Sequence, residues 1–378
     1  MALKPLLRAT FLLTGTLFLA PLFAQTEEEV AAAPEKEAVA GEHRTNAEEH
    51  EAFDAGKLIM EHIGDEHGWH IAGHGENAIV LPLPVIIYDT ERGLSVFSSS
   101  RFEHGHAAYN GYKLEEGKIM AVDAAGKIDE EASKHIWDIS ITKNVLTMLL
   151  VMVLLLLVFT SVARAYKRRE GQAPKGLQSL LEPIILFVRD DVAKSAIGAH
   201  KYARFMPYLL TVFFLIFFAN LLGLIPFIPG GANLTGNIAV TLTLAVITFL
   251  IVTFNGNKHY WHHIFAMPGV PAWVLIILTP VEILGMFLKP FVLMIRLFAN
   301  ITAGHIIALS FFSLIFVFGA TSAAAGYGVS VVSLAFTVFM AFLELLVAFI
   351  QAYVFTFLSA MYIGAALEDH HEHTESLV

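Results

Sequence analysis

Residues 289–305, KPFVLMIRLFANITAGH, decide the fold, because they place an arginine inside an apolar run that is long enough to cross a bilayer. The run extends over residues 273–318, and Arg296 lies near the middle of the quoted stretch. A guanidinium group in the hydrocarbon core costs about 3 kcal/mol on insertion scales and on the order of ten or more in simulations of isolated helices. It stays charged, since its pKa is above roughly 12. Arg296 therefore needs an anionic partner or a wet cavity, and either one indicates an ion pathway.

The composition is that of a membrane protein with several spans. Of the 378 residues, 56% are hydrophobic and only 15% are charged, whereas soluble domains carry about a quarter charged residues. The formal net charge of −10 argues against a nucleic-acid partner. The sequence contains no cysteine, which excludes disulfides and thiolate metal sites.

The first third of the chain has the pattern of an exported segment. Residues 1–24 combine a basic start, a short apolar core and a small residue before an acidic run, which is typical of a bacterial secretory signal peptide. An uncleaved first span is the alternative, although its apolar core is short for about 30 Å of hydrocarbon. Residues 25–140 are polar, and we expect a partly ordered periplasmic segment there. Strand-like stretches at 78–88, 93–98 and 109–122 predict a short antiparallel sheet.

Three histidines of this segment are candidate metal ligands. His67, His70 and His74 could share one face of a helix and bind a metal. Glycines at positions 64, 68, 73 and 75 favour a solvated, histidine-rich loop instead. The sequence has no HExxH motif and no glycine-rich phosphate loop. We therefore expect neither a metal site nor a cofactor.

Residues 141–378 are predicted to form an all-α, multi-pass membrane domain with five transmembrane helices and one amphipathic surface helix. The last two spans are too long to cross perpendicularly, so we expect them to be tilted. The basic cluster after the first span belongs in the cytoplasm by the positive-inside rule, which agrees with an exported amino-terminal segment and puts the C-terminus in the cytoplasm. Loops are expected at 255–263 on the inside and at 319–328 on the outside. The spans are expected at 145–162, 205–228, 238–254, 273–318 and 328–364, and the surface helix at 175–204.

Polar residues recur at helical spacing in the last two spans. At about 100° per residue, Arg296 and Asn300 fall near one face, and His305 points roughly the opposite way. In the final helix Glu344 and Gln351 are seven positions apart and share a face. A buried carboxylate and a buried imidazole on adjacent antiparallel helices are what a proton relay needs.

Each of these residues also has a purely structural interpretation. Arg296 and Glu344 could form a static ion pair, and His305 could be a satisfied core histidine that faces Glu344. Asn300 and Gln351 could join helices through hydrogen bonds. For the whole chain the alternatives are a secondary transporter, which would favour internal repeats that we do not see, and a static membrane anchor.

The sequence resembles subunit a of the F-type ATP synthase membrane sector over about 145–365. The motif around the arginine and its flanking residues is the most specific part of the resemblance. The matching residues are Asn220 with the following LLGLIP, Glu282, Lys289 with Pro290, Arg296-LFA-Asn300, Ala303 with Gly304, Glu344 and Gln351.

This resemblance implies a non-catalytic, proton-conducting subunit of the bacterial inner membrane, with ATP chemistry on other subunits. Its implied partners are membrane lipid, a ring of c subunits and the b subunits. Arg296 is implied to face the ring carboxylate, and His305 and Glu344 to line the outside half-channel. Asn300 and Gln351 are implied to follow that route. The His305–Glu344 pair is exchanged relative to many bacterial members, as in mitochondrial relatives. Asn220, Glu282 and Lys289 match further polar positions of the family.

Overall fold

The computed structural model describes residues 55–72, 79–115, 117–123, 126–225, 231–267 and 269–368. The expected signal peptide at 1–24, His74 and the end of the tail from residue 369 lie outside the described residues. The described chain has two parts. We call residues 55–142 the β-region and residues 143–368 the helical region.

The described residues of the β-region contain three small antiparallel sheets, two short α-helices and a 3-10 helix (Ser99–Gly105). Sequence alternation predicted one sheet, whereas the 3-10 helix follows the first of two hairpins, which turn at Gly93 and Gly117 (φ +79° and +81°) and belong to different sheets. The elements are α1 (Ala55–Ile63), β1 (Gly68–Ala72) paired with β2 (Ile79–Pro82), β3 (Pro84–Asp89) between β4 (Gly93–Ser98) and β7 (Ile136–Asp138), β5 (Tyr112–Glu115) paired with β6 (Lys118–Ala121), and α2 (Glu130–Ser133).

The β-region has an apolar core of its own. Alternate residues of β3 point to the same face of the sheet, and this buries Val85 and Ile87 completely. Phe102 and Tyr112 pack against them. The Tyr112 hydroxyl donates to the Asp89 carboxylate at 3.0 Å, so the polar end of the buried tyrosine is also satisfied.

The first long helix, α3 (Lys143–Arg168), begins two residues before the predicted span and includes part of the basic cluster. Thr142 caps it by accepting a hydrogen bond from the Val145 amide. The predicted amphipathic helix is present as α4 (Leu177–Phe187), a π-helical segment (Val188–Lys194) and the short α5 (Ser195–Ile197). Asp190 pairs with Arg189 and Lys194 on its exposed polar side.

The middle of the helical region is densely packed. Helices α6 (Tyr202–Gly223) and α7 (Ile238–Asn255) match the second and third predicted spans, and a 3-10 turn (Leu234–Gly236) lies between them. The predicted inner loop at 255–263 is wrong in part. Most of it belongs to helix α8 (Lys258–Phe265), which begins where Asn257 accepts a hydrogen bond from the Tyr260 amide.

Two very long antiparallel helices complete the described chain, α9 (Ala272–Thr321) and α10 (Ala323–Leu367). At 1.5 Å per residue they are roughly 75 Å and 68 Å long, more than twice the hydrocarbon thickness. The predicted outer loop at 319–328 is wrong, because Ser322 alone separates the two helices and its side chain caps α10. Alanine fills much of this stretch, and it is the strongest helix former.

The described residues include five helices that are long and apolar enough to cross a membrane: α3, α6, α7, α9 and α10. This confirms the predicted class, an all-α multi-pass membrane protein with some β structure in its amino-terminal part. Most large apolar side chains of α6 are buried against its neighbours, whereas α9 and α10 leave long apolar faces exposed.

Candidate functional site

Arg296 lies on an exposed face of α9. Ala299 and Asn300 are exposed on the same side, while Leu293 and Leu297 are buried behind them. Within the part of the chain that the structure describes, the guanidinium group of Arg296 forms no ion pair and no hydrogen bond. The static Arg296–Glu344 ion pair considered above is therefore absent here, because Glu344 faces His305 instead.

The other polar residues predicted on α9 lie nearer its amino-terminal end. Lys289 is partly buried, and its ammonium group lies 5.7 Å from the centre of the Tyr362 ring, a cation–π geometry. The charge of Arg296 also reaches Tyr362. Glu282 is partly buried and lies within electrostatic reach of Tyr260 on α8. The structure thus places Lys289 and Arg296 near the Tyr362 ring, and Glu282 near Tyr260.

His305 and Glu344 meet across the α9–α10 hairpin. His305 Nδ1 lies 3.9 Å from Glu344 Oε1, and the side chains are only 15% and 14% exposed. This distance is too long for a hydrogen bond, and Glu344 Oε1 has no partner among the described protein groups. His305 is therefore not the satisfied core histidine of the structural interpretation.

Two glycines allow this approach. A Cβ atom on Gly304 would lie 3.0 Å from Glu344 Oε1, so a side chain there would press on the carboxylate. A Cβ on Gly223 of α6 would lie 3.8 Å from His305 Nε2 and 3.1 Å from the carbonyl oxygen of Ala232. The imidazole ring thus has Glu344 on one side and the end of α6 on the other.

Asn220 links its own helix, α6, to α10 and to the 3-10 turn at Leu234–Gly236. Its side-chain amide donates to the Ala348 carbonyl of α10 at 3.4 Å, and its oxygen accepts from the Thr235 hydroxyl at 2.5 Å. Gln351, one turn further along α10 than Ala348, is 5% exposed. Within the described chain the side chains of Gln351 and Asn300 form no hydrogen bond, so the structure gives no support to a role for them as interhelical links.

Several buried side-chain atoms lack a hydrogen-bond partner among the described residues. A buried polar group without a hydrogen bond is uncommon and costs free energy, and a bound water or a role in chemistry is one explanation. These atoms include Thr302 Oγ1 on α9, Glu344 Oε1 on α10, Asn144 Oδ1 at the start of α3, Asn233 Nδ2 before the 3-10 turn and His67 Nδ1 in the β-region.

The polar residues at the start of α3 were not predicted as part of the site. Lys143 and Asn144 are 5% and 4% exposed, and Asp65 of the β-region accepts hydrogen bonds from Thr142 and from the Asn144 amide. Hydropathy placed the span at 145–162 and so left these polar residues in a loop. A capping threonine directly before Lys143 was the available signal for an earlier helix start.

His67 is also placed differently from the expectation. It is 5% exposed, and its Nε2 atom lies 2.7 Å from Asp138 Oδ2, so the interpretation as a solvated loop residue is wrong. His70 lies in β1, and the described residues contain no group of three acidic or histidine side chains placed to hold a metal.

Comparison with protein families gives two matches that divide the chain in a similar way. Residues 145–364 match the ATP synthase A chain family, and residues 58–139 match a domain of unknown function (DUF8433). The first match covers more than half of the chain and all the candidate residues on α6, α9 and α10.

Curated relatives carry the same name. The chain is 46% identical to ATP synthase subunit a of Chloroherpeton thalassium over 242 residues, which is 62% of this chain and 69% of that protein. It is 48% identical to ATP synthase subunit a 2 of Chlorobaculum tepidum, with 63% and 66% covered, and 43% identical to ATP synthase subunit a of Myxococcus xanthus, with 63% and 76% covered. The chain therefore belongs to the ATP synthase A chain family, as a non-catalytic, membrane-spanning subunit a of a bacterial F-type ATP synthase.

Proposed function

We propose that this chain is the stator subunit that carries protons to and from a ring of c subunits through two half-channels, and so couples proton flow to rotation. ATP chemistry takes place on other subunits of the complex. The observation that supports this most directly is Arg296, which is exposed on an apolar helix and has no anionic partner within the described chain.

An arginine at this position needs a counter-charge from outside the chain. A fixed cation facing hydrocarbon is costly, by about 3 kcal/mol or more. A carboxylate on the c ring removes that cost when it is ionised opposite Arg296, and the same carboxylate must be neutral when it faces lipid. The guanidinium therefore favours proton release at one angular position of the ring and blocks a direct leak past it.

The exposed surface of the long hairpin suits a curved partner. Val292, Ile295 and Ala299 are exposed beside Arg296 on α9, so the guanidinium lies in an apolar surface that a neighbouring helix can cover. The length of α9 and α10 requires a steep tilt in a bilayer of about 30 Å. A tilted hairpin can follow the outer wall of a ring over a long arc.

We assign the outside half-channel to the His305–Glu344 pair, with Asn220, Gln351 and Asn300 along the same route. Both titratable groups are nearly buried, close together and incompletely hydrogen-bonded, which leaves them free to gain and lose protons. Glu282 and Lys289 lie toward the other end of α9 and are assigned to the cytoplasmic side.

The proposed orientation follows from the basic end of α3. Residues Lys167 to Arg169 belong in the cytoplasm by the positive-inside rule. The β-region is then periplasmic, and the end of α10 and the C-terminus are cytoplasmic. Besides the c ring, the b subunits are the expected partners in the membrane.

Arg296→Ala in the assembled enzyme tests the proposal. We expect loss of proton-driven ATP synthesis, because the ring carboxylate is no longer held ionised. Arg189→Ala is the matched control, since that arginine pairs with Asp190 on an exposed surface where ion pairs contribute about 0–1 kcal/mol. Ordinary rates of synthesis by the Arg296 variant would rule out the mechanism.

Proton flux in reconstituted vesicles separates this function from the other two classes. A half-channel subunit conducts only together with c subunits, a secondary transporter conducts alone, and a static anchor conducts in neither case. We expect flux only from vesicles that contain both this chain and the c ring.

A further inference from the structure

The β-region lies against the membrane-spanning helices beside the proposed outside half-channel. Helix α1 packs on α9, and the Lys143 amide at the start of α3 donates to the Glu66 carbonyl at 2.9 Å. The β-region is therefore fixed to the helical region rather than connected only through its chain.

Asp65 is the acidic residue at this junction whose side chain is hydrogen-bonded to the start of α3. Its Oδ2 atom accepts from the Thr142 hydroxyl and its Oδ1 atom from the Asn144 amide, both at 3.0 Å. These groups belong to the first turn of α3, so the carboxylate also faces the positive end of the helix dipole. Seventy-nine residues separate Asp65 from Asn144, and the contact is therefore a tertiary one.

Lys143 connects this carboxylate to the proposed relay. Its buried ammonium group lies within electrostatic reach of Asp65, of Glu66 and of His305 on α9. The side-chain oxygen of Asn144, next to it, is buried without a protein partner. A charged and incompletely hydrogen-bonded group of side chains thus extends from the β-region to the histidine.

We propose that the outside half-channel opens at this junction, and that Asp65 is the first proton-binding residue on the way to His305 and Glu344. The inference rests on the half-channel function proposed above and adds the role of the β-region. A proton from the periplasm binds the Asp65 carboxylate, and it passes on through water and polar groups as the next proton takes its place.

The surroundings of Asp65 suit a group that binds protons reversibly. Desolvation raises the pKa of Asp65, although the Asn144 amide and the Thr142 hydroxyl oppose the rise. The charges of Lys143 and His67 also oppose it. The carboxyl therefore stays protonated to a higher pH than an exposed aspartate would.

The negative charge of the Asp65 carboxylate also changes the electrostatic potential at this site. Its negative charge offsets part of the positive charge of Lys143, which would otherwise repel protons that approach His305. Local fields of this kind change the local concentration of an ion and its rate of arrival by about 10- to 1,000-fold.

The first experiment measures proton-driven ATP synthesis by intact enzyme in vesicles over a series of pH values on the β-region side. Asp65→Asn keeps the size of the side chain, since its oxygen can still accept from the Asn144 amide and its NH₂ group can donate to the Thr142 hydroxyl oxygen. We expect about tenfold slower synthesis with a flattened pH profile. Asp65→Glu should recover most of the rate. Glu91→Gln is the control, because this carboxylate lies on an exposed turn of the β-region and its replacement should leave synthesis unchanged.

The second experiment does not depend on Asp65 and uses the absence of cysteine from the sequence. In an otherwise cysteine-free enzyme, Asn144→Cys is treated with Ag⁺ from the β-region side, with Thr90→Cys on an exposed turn as control. We expect Ag⁺ to remove most of the activity of the first variant and none of the second. Equal sensitivity of the two variants would overturn the proposal.

The failure of this inference is distinguishable from failure of the half-channel itself. If His305→Ala and Glu344→Ala slow synthesis strongly while Asp65→Asn and Glu91→Gln give equal rates at every pH, the half-channel stands and its entrance lies elsewhere. If all four variants synthesise ATP at ordinary rates, both proposals are wrong.

Discussion

Two histidine–carboxylate pairs in this chain contain the same chemical groups in opposite arrangements. In the β-region, His67 Nε2 lies 2.7 Å from Asp138 Oδ2, a short hydrogen bond that ties β7 to the residue before β1. In the helical region, His305 Nδ1 lies 3.9 Å from Glu344 Oε1, and that oxygen has no hydrogen-bond partner among the described residues. We call the first pair, which shares a hydrogen bond, the closed pair, although His67 Nδ1 has no partner among the described residues. The second pair shares no hydrogen bond, and we call it the open pair.

The two pairs suit different roles, the closed pair in stability and the open pair in the proposed proton transport. The His67–Asp138 pair joins residues 71 positions apart and is satisfied further by Ser140, whose amide donates to Asp138 at 2.9 Å. Such a pair holds one arrangement of the chain. The His305–Glu344 pair contributes little to stability at its observed distance, so its burial is explained better by a proposed role in proton transfer.

The largest expected effect is on transport through the open pair. We expect His305→Ala and Glu344→Ala each to slow proton-driven ATP synthesis about 100-fold, the lower end of the contribution of general acid–base groups. Exchanging the two residues, His305→Glu with Glu344→His, should retain more flux than either alanine variant, because one acid and one imidazole remain in place. His135→Ala on the exposed surface is the control. Equal flux in all of these variants would remove the relay from the mechanism.

The closed pair should respond in stability instead. Asp138→Asn removes a charged hydrogen-bond acceptor from His67, and we expect the β-region to lose about 1–2 kcal/mol of unfolding free energy. Hydrogen exchange of the β3 and β7 amides in the intact, detergent-solubilised chain measures this loss. Glu91→Gln, on an exposed turn, should leave the same amides protected. Unchanged protection in the Asp138 variant would mean that the pair contributes nothing to stability.

Acid should weaken the closed pair as well. Burial alone would raise the pKa of Asp138, but the hydrogen bond and charge of His67, together with Ser140, outweigh it and lower the pKa. The folded β-region therefore binds this proton less tightly than the unfolded chain does. The stabilisation is present above about pH 4, the pKa of an unperturbed aspartate, and is lost as the pH falls below it.

Amide exchange corrected for the intrinsic pH dependence of the exchange rate provides the measurement. Protection of β3 and β7 in the parent chain should fall between about pH 4 and the lower pKa of the folded state, and Asp138→Asn should remove that part of the dependence. The same acid dependence in both chains would assign it to other carboxyl groups.

The smallest expected effect tests the spacing of the open pair. Gly304→Ala places a Cβ atom about 3.0 Å from Glu344 Oε1, and the flexible end of that side chain can move aside. We therefore expect synthesis to slow only by a small factor, about threefold, which corresponds to less than 1 kcal/mol. Gly285→Ala on the same helix meets no neighbouring atom and is the control. Identical rates in the two variants would show that the contact between Gly304 and Glu344 does not set the rate.

Much of the helical region could be predicted from sequence, because bilayer thickness and hydropathy restrict the possibilities. Residues 238–254 and 205–228 were expected as spans, and α7 and α6 are found there. Two features were not predicted, because they depend on helix propensity and helix capping and not on hydropathy. Alanine continues the helix up to and beyond Ser322, and Asn257 starts α8 within an expected loop.

Contacts between polar residues could be predicted from sequence only where both residues lie on helices whose pairing was already expected. His305 and Glu344 lie on adjacent antiparallel helices, so their meeting followed from the expected hairpin. His67 with Asp138 and Asp65 with Asn144 are contacts across more than seventy residues of irregular chain. No periodicity joins such residues, since their neighbourhood depends on how three small sheets pack.

The turn at Ser322 determines how α10 is rotated about its own axis relative to α9. Each residue of an α-helix advances the side-chain direction by about 100°, so one inserted residue in this turn would rotate all of α10 by more than a quarter circle relative to α9. The Glu344 side chain would then point away from Gly304, although the hydropathy of both helices would be unchanged. We infer that the number of residues in this hairpin is constrained more tightly than their identity.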